Sequence, residues 1–341
     1  MKALFIGGTG TISSAITAQL AAQGCELYLL NRGNRNGDLP EGVHVLQGDI
    51  NDEEQVKQLI RGMTFDVVAD FIAFTTEHVE RDYRLFAGAA KQYIFISSAS
   101  IYQKPLSDYR ITESTPLSNP YWEYSRNKIA CEEYLMKQYR EQGFPVTIVR
   151  PSHTYVDRGI PLGVHGSKGS WQVARRMLEG KPVIIHGDGT SLWSMTHNSD
   201  FAKGFIGLMG NIHAIGESVQ ITSDESVTWN QIYEIIADAL GVKLNVVHVP
   251  SEFLAACSYG VDYRGGLLGD KAHSVVFDNS KLKRLVPDFV ATVRFDQGVK
   301  QTVAYILSHP ECQAEDPAFD AWCDKVIAAW DSAAQAVKSG V

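Results

Sequence analysis

Several features that mark other classes of protein are scarce or missing in this chain. Its five cysteines are widely scattered and form no Cys-x-x-Cys pair, so the sequence predicts neither a disulfide framework nor a metal site. No apolar run approaches the roughly 20 residues that span a bilayer. The N-terminus enters a strand-like segment at once, so we expect no signal peptide. We therefore expect a cytoplasmic protein with no membrane partner.

Positive charge is also scarce. The 31 Lys and Arg residues are outnumbered by 39 Asp and Glu residues, which gives a net charge of -8. A nucleic-acid-binding surface needs clustered cations that displace counterions from phosphates. We expect no nucleic-acid partner. The 45% of hydrophobic residues in this 341-residue chain are enough for one large core or two linked ones.

A glycine-rich segment follows the first apolar run. It reads Gly7-Gly8-Thr9-Gly10-Thr11-Ile12-Ser13 and comes directly after residues 3–6. A strand that turns through glycines into a helix presents backbone N–H groups and a positive helix N-terminus to an anion. Gly7 and Gly10 fill the first two glycine positions of the dinucleotide-binding fingerprint, and Ser13 replaces the third. The segment predicts a site for a dinucleotide pyrophosphate.

A second motif pairs a phenol with an ammonium group. Tyr124 is the only one of the 14 tyrosines that has a lysine, Lys128, four positions later. That spacing places both side chains on one face of a helix, where the cation can lower the pKa of the phenol from about 10. Such a tyrosine can give or take a proton near neutral pH.

Short β-rich runs alternate with helical patterns in the first half of the chain. Strands are predicted at residues 3–6, 26–30, 44–46, 66–70, 93–97 and 146–149, and helices at 13–23, 53–61, 77–90 and 124–142. This alternation is typical of a parallel sheet that is covered on both faces. The predicted fold class is α/β, with a Rossmann-type doubly wound parallel sheet and a smaller C-terminal substrate-binding lobe.

The pattern loosens after residue 151, so the chain is expected to divide there. We expect residues 1–151 to form the dinucleotide-binding domain, with residues 198–223 returning to it. Residues 152–197 and 224–341 are expected to form the substrate-binding lobe. The lobe ends in a helical tail whose apolar stripe is expected to pack onto the body of the protein.

Together the two motifs resemble the extended short-chain dehydrogenase/reductase family, which contains sugar-nucleotide epimerases and dehydratases. The segment Ser97-Ser98-Ala99-Ser100-Ile101-Tyr102 resembles the family's serine motif, and Phe277-Asp278-Asn279-Ser280-Lys281 resembles a late one. The resemblance covers the chain up to about residue 307. It implies a catalytic group of Ser98, Tyr124 and Lys128, in which the tyrosine moves a proton while a hydride passes to or from a nicotinamide.

The resemblance also implies a set of cofactor-binding residues. They are Gly7, Thr9, Gly10, Thr11, Ile12, Asn31, Arg32, Arg35, Asp49, Ile50, Phe71, Ile72, Ala73, Tyr124, Lys128 and Pro151. At the end of the second strand, an acidic residue would bind the adenosine ribose of NAD, but here Asn31 and Arg32 occupy the position. Because an arginine can pair with a ribose phosphate, we expect NADP, with NAD as the alternative.

The substrate positions differ from those of sugar-nucleotide enzymes. Ala99 and Ser100 stand where the family's dehydratases carry an acidic pair. His153 and Trp193 stand where many members have an Asn and an Arg that serve a substrate diphosphate. We expect Ser98, Ser100, Tyr124, His153 and Trp193 to contact a sugar-like or polyol substrate that lacks a nucleotide diphosphate.

The sequence leaves the reaction open between a dehydrogenase and an epimerase, which share every residue named above. A sugar-nucleotide epimerase is an alternative, and so is a non-catalytic cofactor-binding or RNA-associated member of the superfamily. The latter resembles chloroplast stem-loop binding proteins in its Gly-Gly-Thr segment. Family members commonly pair through two helices, here residues 77–90 and 124–142, so the resemblance implies a homodimer.

Overall fold

The computed structural model of this protein describes residues 1–33 and 39–340. In chain order its strands are β1 (Lys2–Ile6), β2 (Glu26–Asn31), β3 (His44–Gln47), β4 (Val67–Asp70), β5 (Tyr93–Ile96), β6 (Arg110–Ile111), β7 (Val146–Pro151), β8 (His153–Tyr155), β9 (Val183–His186), β10 (Leu192–Trp193), β11 (Met195–His197), β12 (Ser218–Ile221), β13 (Val227–Thr228), β14 (Val246–Val249) and β15 (Val276–Phe277). Its α-helices are α1 (Ser13–Ala22), α2 (Glu53–Leu59), α3 (Thr76–Phe86), α4 (Glu123–Gln142), α5 (Trp171–Leu178), α6 (Asn198–Leu208), α7 (Trp229–Leu240), α8 (Ser251–Ala256), α9 (Ser280–Leu285), α10 (Phe295–Ser308) and α11 (Pro317–Ser339). A 3-10 turn spans Ala99–Ile101 and a π-helix spans Arg264–Lys271.

A seven-stranded sheet forms the centre of the fold. Its strand order is β12-β7-β5-β4-β1-β2-β3, and every neighbouring pair is parallel. The strand order reverses direction between β1 and β4, so the crevice at their carboxyl ends is the place where this type of sheet binds ligands. The predicted Rossmann-type doubly wound sheet is confirmed.

Two hydrophobic cores cover the two faces of this sheet. One packs α1 and α6 against it through side chains such as Ile16, Leu20 and Phe205. The other packs α2, α3 and α4 against the opposite face, with Val56, Val79 and Leu135 among the buried residues. Because the central strands are buried on both faces, they read as continuous apolar runs rather than as alternating ones.

The end of α3 differs more from its prediction than the ends of α1, α2 and α4 do. The apolar spacing indicates a helix over residues 77–90, but α3 ends at Phe86. Gly88 lies two residues beyond and adopts a φ of +81°, a left-handed conformation that does not continue a helix. Ala90 is still buried, so its apolar character reflects packing under the sheet rather than membership of the helix.

A third hydrophobic core lies outside the sheet and is built mainly from residues beyond β7. Here α5, α7, α10 and α11 pack around Trp229, Tyr233 and Phe295. The first half of α11 belongs to this core, because Phe319, Trp322 and three further side chains of that helix are buried. Two-stranded pairs complete this region: β8 with β11, β9 with β14, β10 with β13 and β6 with β15.

Candidate active site

The glycine-rich turn joins β1 to α1 at the carboxyl edge of the sheet. Gly7 adopts a φ of +82°, and a Cβ on it would lie 2.6 Å from Ile72 Cγ2, so only glycine fits there. The Ser13 hydroxyl donates to the Gly7 carbonyl at 2.8 Å and accepts the Gly10 N–H at 2.9 Å. The serine that replaces the third glycine of the fingerprint therefore ties the two ends of the turn together.

A cavity of about 500 Å³ opens beside this turn. It is lined by Gly7, Thr9, Gly10, Leu30, Asn31, Arg32, Gly48, Asp49, Ile50, Asn51 and Ile72. Eight of these residues belong to the cofactor set implied by the family resemblance. Leu30, Gly48 and Asn51 were not anticipated, although each lies next to an anticipated residue at the end of β2 or after β3.

The remaining cofactor candidates lie elsewhere. Phe71 packs its ring against Phe5 and Phe205, with centroid separations of 5.2 and 5.5 Å. Pro151 is buried at the end of β7 and pairs with β12, whereas Ile12 is the N-cap of α1. Arg35 lies outside the described residues.

Asn31 carries an unused donor at the wall of this cavity. Its side-chain oxygen accepts the Gly33 N–H at 2.8 Å, which orients the amide. Its Nδ2 is buried and has no hydrogen-bond partner among the residues that the structure describes. A buried donor without a partner is costly, and a ribose hydroxyl or phosphate oxygen would satisfy it. The glycine cradle and this donor together fit the adenosine half of a nicotinamide dinucleotide.

A buried polar network that the sequence analysis missed supports the same wall. Asp70, at the end of β4, accepts the backbone N–H of Ile72 and pairs with Arg81 at 3.3 Å. Arg81 also donates to Asn51 Oδ1 at 2.8 Å. Because Ile72 and Asn51 both line the cavity, this network fixes its shape. No local motif in the sequence marks Asp70 or Arg81.

The serine loop after β5 and the start of α4 are joined by hydroxyl groups. Ser98 caps the 3-10 turn, and its Oγ lies 2.8 Å from that of Ser100. Ser100 Oγ in turn lies 2.7 Å from Ser125 Oγ. Burial raises the pKa of Tyr124, and a hydrogen bond with Ser98 acts in the opposite direction. Ser98, Ser100 and Tyr124 are therefore brought together.

Lys128 lies one turn further along α4 and is 2% exposed. Its Nζ donates to the carbonyl oxygens of Ala73 and Ile96, both at 2.6 Å, and lies 5.8 Å from the Tyr124 ring centroid. Burial lowers the pKa of Lys128 to about 8. These carbonyls follow β4 and end β5, so the ammonium sits at the carboxyl edge of the sheet.

The pKa of Tyr124 moves against the expectation from the Tyr-x-x-x-Lys spacing. That spacing predicts a lowered value, whereas the structure gives a raised one. The physical reason is that the phenol loses water on burial, which penalises its charged form. The ammonium of Lys128 is meanwhile directed to two backbone carbonyls.

The two remaining substrate candidates lie in different surroundings. His153 lines a second cavity, of about 290 Å³, together with Thr11 and His165. Burial lowers the pKa of His153 to about 3, so it is neutral at physiological pH. Trp193 is 3% exposed and packs against Trp229 at 5.7 Å in the third core. As described, the wall of the second cavity does not include Trp193.

Asn119, which the sequence analysis did not single out, joins three parts of the site. Its buried amide nitrogen donates to the carbonyls of Ser100 and Gly269 at 2.8 and 2.7 Å. Its oxygen accepts the backbone N–H groups of Tyr121 and Trp122, both at 3.1 Å. The serine loop, the approach to α4 and the π-helix are thus held to one side chain. Ser100 and Gly269 are distant from it in sequence, so no local signal could have identified this junction.

Neither a metal-binding cluster nor a membrane-spanning helix is present in the described part of the chain. In residues 1–33 and 39–340, no group of three or more His, Cys, Asp or Glu side chains is arranged to hold a metal ion. Over the same residues, no helix combines the length and apolar character that crossing a membrane requires.

Comparison with known proteins gives consistent results. A family model described as the NAD dependent epimerase/dehydratase family matches residues 3–222. The 2'-dehydrokanamycin reductase of Streptomyces kanamyceticus is 25% identical over 289 residues, which are 85% of this chain and 80% of the relative. The chloroplast stem-loop binding protein of 41 kDa b of Arabidopsis thaliana is 27% identical over 267 residues, which are 74% of this chain and 67% of that protein.

Solved structures of the same type share the fold. The UDP-glucose 4-epimerase of Thermus thermophilus, in complex with NAD, superposes with a TM-score of 0.69 at 22% identity and covers 90% of this chain and 99% of its own. The predicted family and enzyme class are confirmed, because the family model spans more than half of the chain. The chain belongs to the NAD dependent epimerase/dehydratase family, the enzymes of the extended short-chain dehydrogenase/reductase type.

Proposed function

We propose that this enzyme moves a hydride between a nicotinamide dinucleotide and a secondary alcohol of a sugar-like or polyol substrate, with Ser98, Tyr124 and Lys128 as its catalytic group. The observation that carries the proposal is their convergence at the carboxyl edge of the sheet. Ser98 is near enough to Tyr124 to act on the pKa of its phenol, and Lys128 is anchored where β4 and β5 end. This edge is also where the glycine-rich turn lies.

Each of the three side chains has a separate role in this proposal. The Tyr124 hydroxyl gives a proton to the substrate oxygen in reduction and removes it in oxidation. Ser98 donates a hydrogen bond to the same oxygen and orients it. Lys128 holds a positive charge beside the tyrosine, which favours the phenolate when the proton leaves. The bound nicotinamide would supply or accept the hydride.

We further propose NADP as the preferred cofactor, with NAD as the alternative. Asn31 is uncharged at the end of β2, where a carboxylate would disfavour a ribose phosphate, and Arg32 lines the same cavity. An arginine can pair with a phosphate through two parallel hydrogen bonds. We assign the cofactor mainly to the residues that line the cavity, because Pro151, Phe71 and Ile12 do not line it.

The proposed substrate is not a standard nucleotide-diphosphate sugar. Its site would include His153, which is neutral and so contributes no fixed charge for binding a diphosphate. The name of the kanamycin-related reductase is consistent with a sugar-like ketone or alcohol. In this proposal residues 1–151 and 198–223 form the dinucleotide-binding domain, which also carries the catalytic group, and residues 152–197 and 224–341 form the substrate-binding lobe.

Two questions about the proposed function can be answered by the same experiments: whether the enzyme is an epimerase or a dehydrogenase, and whether the protein has an RNA-associated role instead. An epimerase would keep its cofactor and return the hydride to the same substrate, whereas a dehydrogenase would exchange cofactor with solution. An RNA-associated role has support from the similarity to the chloroplast stem-loop binding protein, although the net charge of -8 counts against it. We also propose that the enzyme forms a homodimer through α3 and α4.

The first experiment is native mass spectrometry of the purified protein. A retained dinucleotide would identify NADP or NAD by mass and favour an epimerase, and the same spectrum would give the oligomeric state. The second is an absorbance screen at the nicotinamide band with free sugars, amino sugars, cyclitols and nucleotide sugars. If no compound exchanges hydride and the protein binds RNA in a salt-sensitive manner, the proposed function is wrong.

A further inference from the structure

The eight-residue π-helix Arg264–Lys271 lies close to the catalytic tyrosine. Helices of this type are rare and occur frequently at functional sites. Trp122 connects the π-helix to the site, because its ring lies 4.9 Å from the ring of Tyr124. The position of this helix therefore influences what can approach Tyr124.

Two glycines seat the π-helix on Trp122. A Cβ on Gly265 would lie 2.2 Å from Trp122 Cδ1, and one on Gly269 would lie 3.0 Å from Trp122 Cβ. By contrast, a Cβ on Gly266 would meet no atom within 4 Å. Asn119 also holds the π-helix in place, because its amide donates a hydrogen bond to the Gly269 carbonyl. The helix is thus held in one place relative to the serine loop.

Two charged residues, Asp270 and Lys271, lie at the C-terminal end of this π-helix. Each is only 15% exposed, and Lys271 Nζ contacts Asp270 Oδ2 at 3.4 Å. Its other recorded hydrogen bond, to the Gly266 carbonyl, is also long at 3.4 Å. Charge-assisted hydrogen bonds normally measure about 2.7–2.9 Å, so both groups keep capacity for a closer partner.

Both charges act on titratable groups of the site. Burial raises the pKa of Tyr124, and the negative charge of Asp270 adds to this effect. Burial lowers the pKa of His153, and the positive charge of Lys271 adds to that. Lys271 Nζ also lies 5.9 Å from the ring centroid of Trp122. The pair therefore lies within electrostatic range of groups on both sides of the site.

We propose that Asp270 and Lys271 form a subsite that binds two adjacent hydroxyl groups of the substrate and so selects polyols over simple alcohols. This inference rests on the proposed function and names its specificity-determining residues. The ammonium donates to one hydroxyl oxygen and the carboxylate accepts from the neighbouring hydroxyl. A paired donor and acceptor of opposite charge suits an uncharged vicinal diol, because it leaves no net charge to be neutralised by the ligand.

The test compares ligands that differ by one hydroxyl. Cyclohexanol and the cis and trans isomers of 1,2-cyclohexanediol are titrated into the full chain saturated with NADP, and with NAD in parallel, by saturation-transfer NMR. We expect at least one diol isomer to bind about tenfold more tightly than cyclohexanol, the usual worth of a hydrogen bond to a charged group. Equal binding of alcohol and diols, or no binding of either diol, would overturn the subsite.

Single substitutions test whether Asp270 and Lys271 cause the preference for the diol over the simple alcohol. Lys271→Met and Asp270→Asn should each reduce the preference for the diol to about twofold or less. Arg264→Met is the matched control, because it removes an exposed cation from the other end of the same π-helix, and it should retain the preference. If the preference persists in both Lys271→Met and Asp270→Asn, these two residues hold the helix and do not bind the ligand.

A second pair of variants tests whether the packing of the π-helix against Trp122 is needed for diol binding. Gly265→Ala should reduce the diol preference by displacing the π-helix from Trp122, whereas Gly266→Ala should leave it unchanged. Unaltered binding in Gly265→Ala would separate the subsite from this seating and contradict the inference. All of these readouts measure binding. The proposed function fails separately, when hydride transfer is absent from the absorbance screen or does not depend on Tyr124.

Discussion

Lys128 and Ala73 are joined by a hydrogen bond of 2.6 Å from the ammonium to the backbone carbonyl. The lysine belongs to α4 and the carbonyl to the segment after β4, so the bond fixes the helix of the proposed catalytic tyrosine against the edge of the sheet. A second carbonyl, that of Ile96, accepts from the same ammonium. The cation thereby serves the architecture of the site as well as its electrostatics.

The lowered pKa of Lys128 should make stability depend on pH. Its pKa is about 8 in the folded protein and about 10.4 in an unfolded chain. Between these values only the unfolded chain carries the proton, so the free energy of unfolding should rise with pH, by up to about 1.4 kcal/mol per pH unit. Urea unfolding of wild type and Lys128→Met from pH 7 to 10 should show this rise only in wild type. Lys137→Met, on the exposed side of the same helix, should behave as wild type; identical slopes in all three proteins would contradict the assignment.

Tyr124→Phe removes the transferable proton and leaves the ring packed against Trp122. Turnover should fall by about a hundredfold or more, the usual contribution of a general acid or base. Steady-state rates on the best substrate of the absorbance screen and cofactor affinity by fluorescence titration measure the two effects. Cofactor affinity should change little. Unchanged turnover would remove Tyr124 from the catalytic group.

Arg32→Ala tests the preference for NADP. If Arg32 pairs with the ribose phosphate, the variant should lose affinity for NADP by about tenfold while its affinity for NAD is unchanged. Dissociation constants for both cofactors give the ratio directly. Arg61→Ala, an exposed arginine after α2, serves as the control for loss of surface charge. An unaltered NADP to NAD ratio would place Arg32 outside the phosphate site.

Gly7→Ala should abolish dinucleotide binding. The substitution introduces strain at a φ of +82° and a contact of 2.6 Å with Ile72. Gly24→Ala is a matched control, since its φ is +70° but its Cβ would meet no atom within 4 Å. Both variants should lose about 1 kcal/mol or more of stability from the backbone strain, measured by thermal unfolding. Retained cofactor binding in Gly7→Ala would show that the turn tolerates a side chain.

The fold was predictable from local signals to a large extent. The strands that begin at residues 2, 26, 93 and 146 are apolar runs bounded by polar or glycine-containing turns. Their pattern can therefore be recognised in the sequence alone. The end of α3 was not predictable, because Ala90 is buried by tertiary packing although the helix stops at Phe86. An apolar residue at helical spacing indicates burial and does not by itself indicate helix.

The candidate site was predictable where motifs are short and contiguous. The residues around Gly7 and Asn31 line a common cavity, as their places at strand ends suggest. The direction of the Tyr124 pKa shift and the burial of Trp193 depend on what surrounds each ring, which spacing does not reveal. Asn119 escaped notice because Ser100 and Gly269 lie far from it in the chain, and Asp270 because its proximity to Tyr124 arises only in the folded protein.

The hydrogen bonds of Asn119 have a consequence for how the protein is made. Its amide needs the carbonyls of both Ser100 and Gly269, which are separated by about half of the chain. During synthesis the sheet, glycine turn and tyrosine helix can all emerge before Gly269 leaves the ribosome. A nascent chain at that stage would hold its cofactor residues, but its Asn119 amide would lack the bond to Gly269, so competence for catalysis would arrive late, after the capacity to bind cofactor.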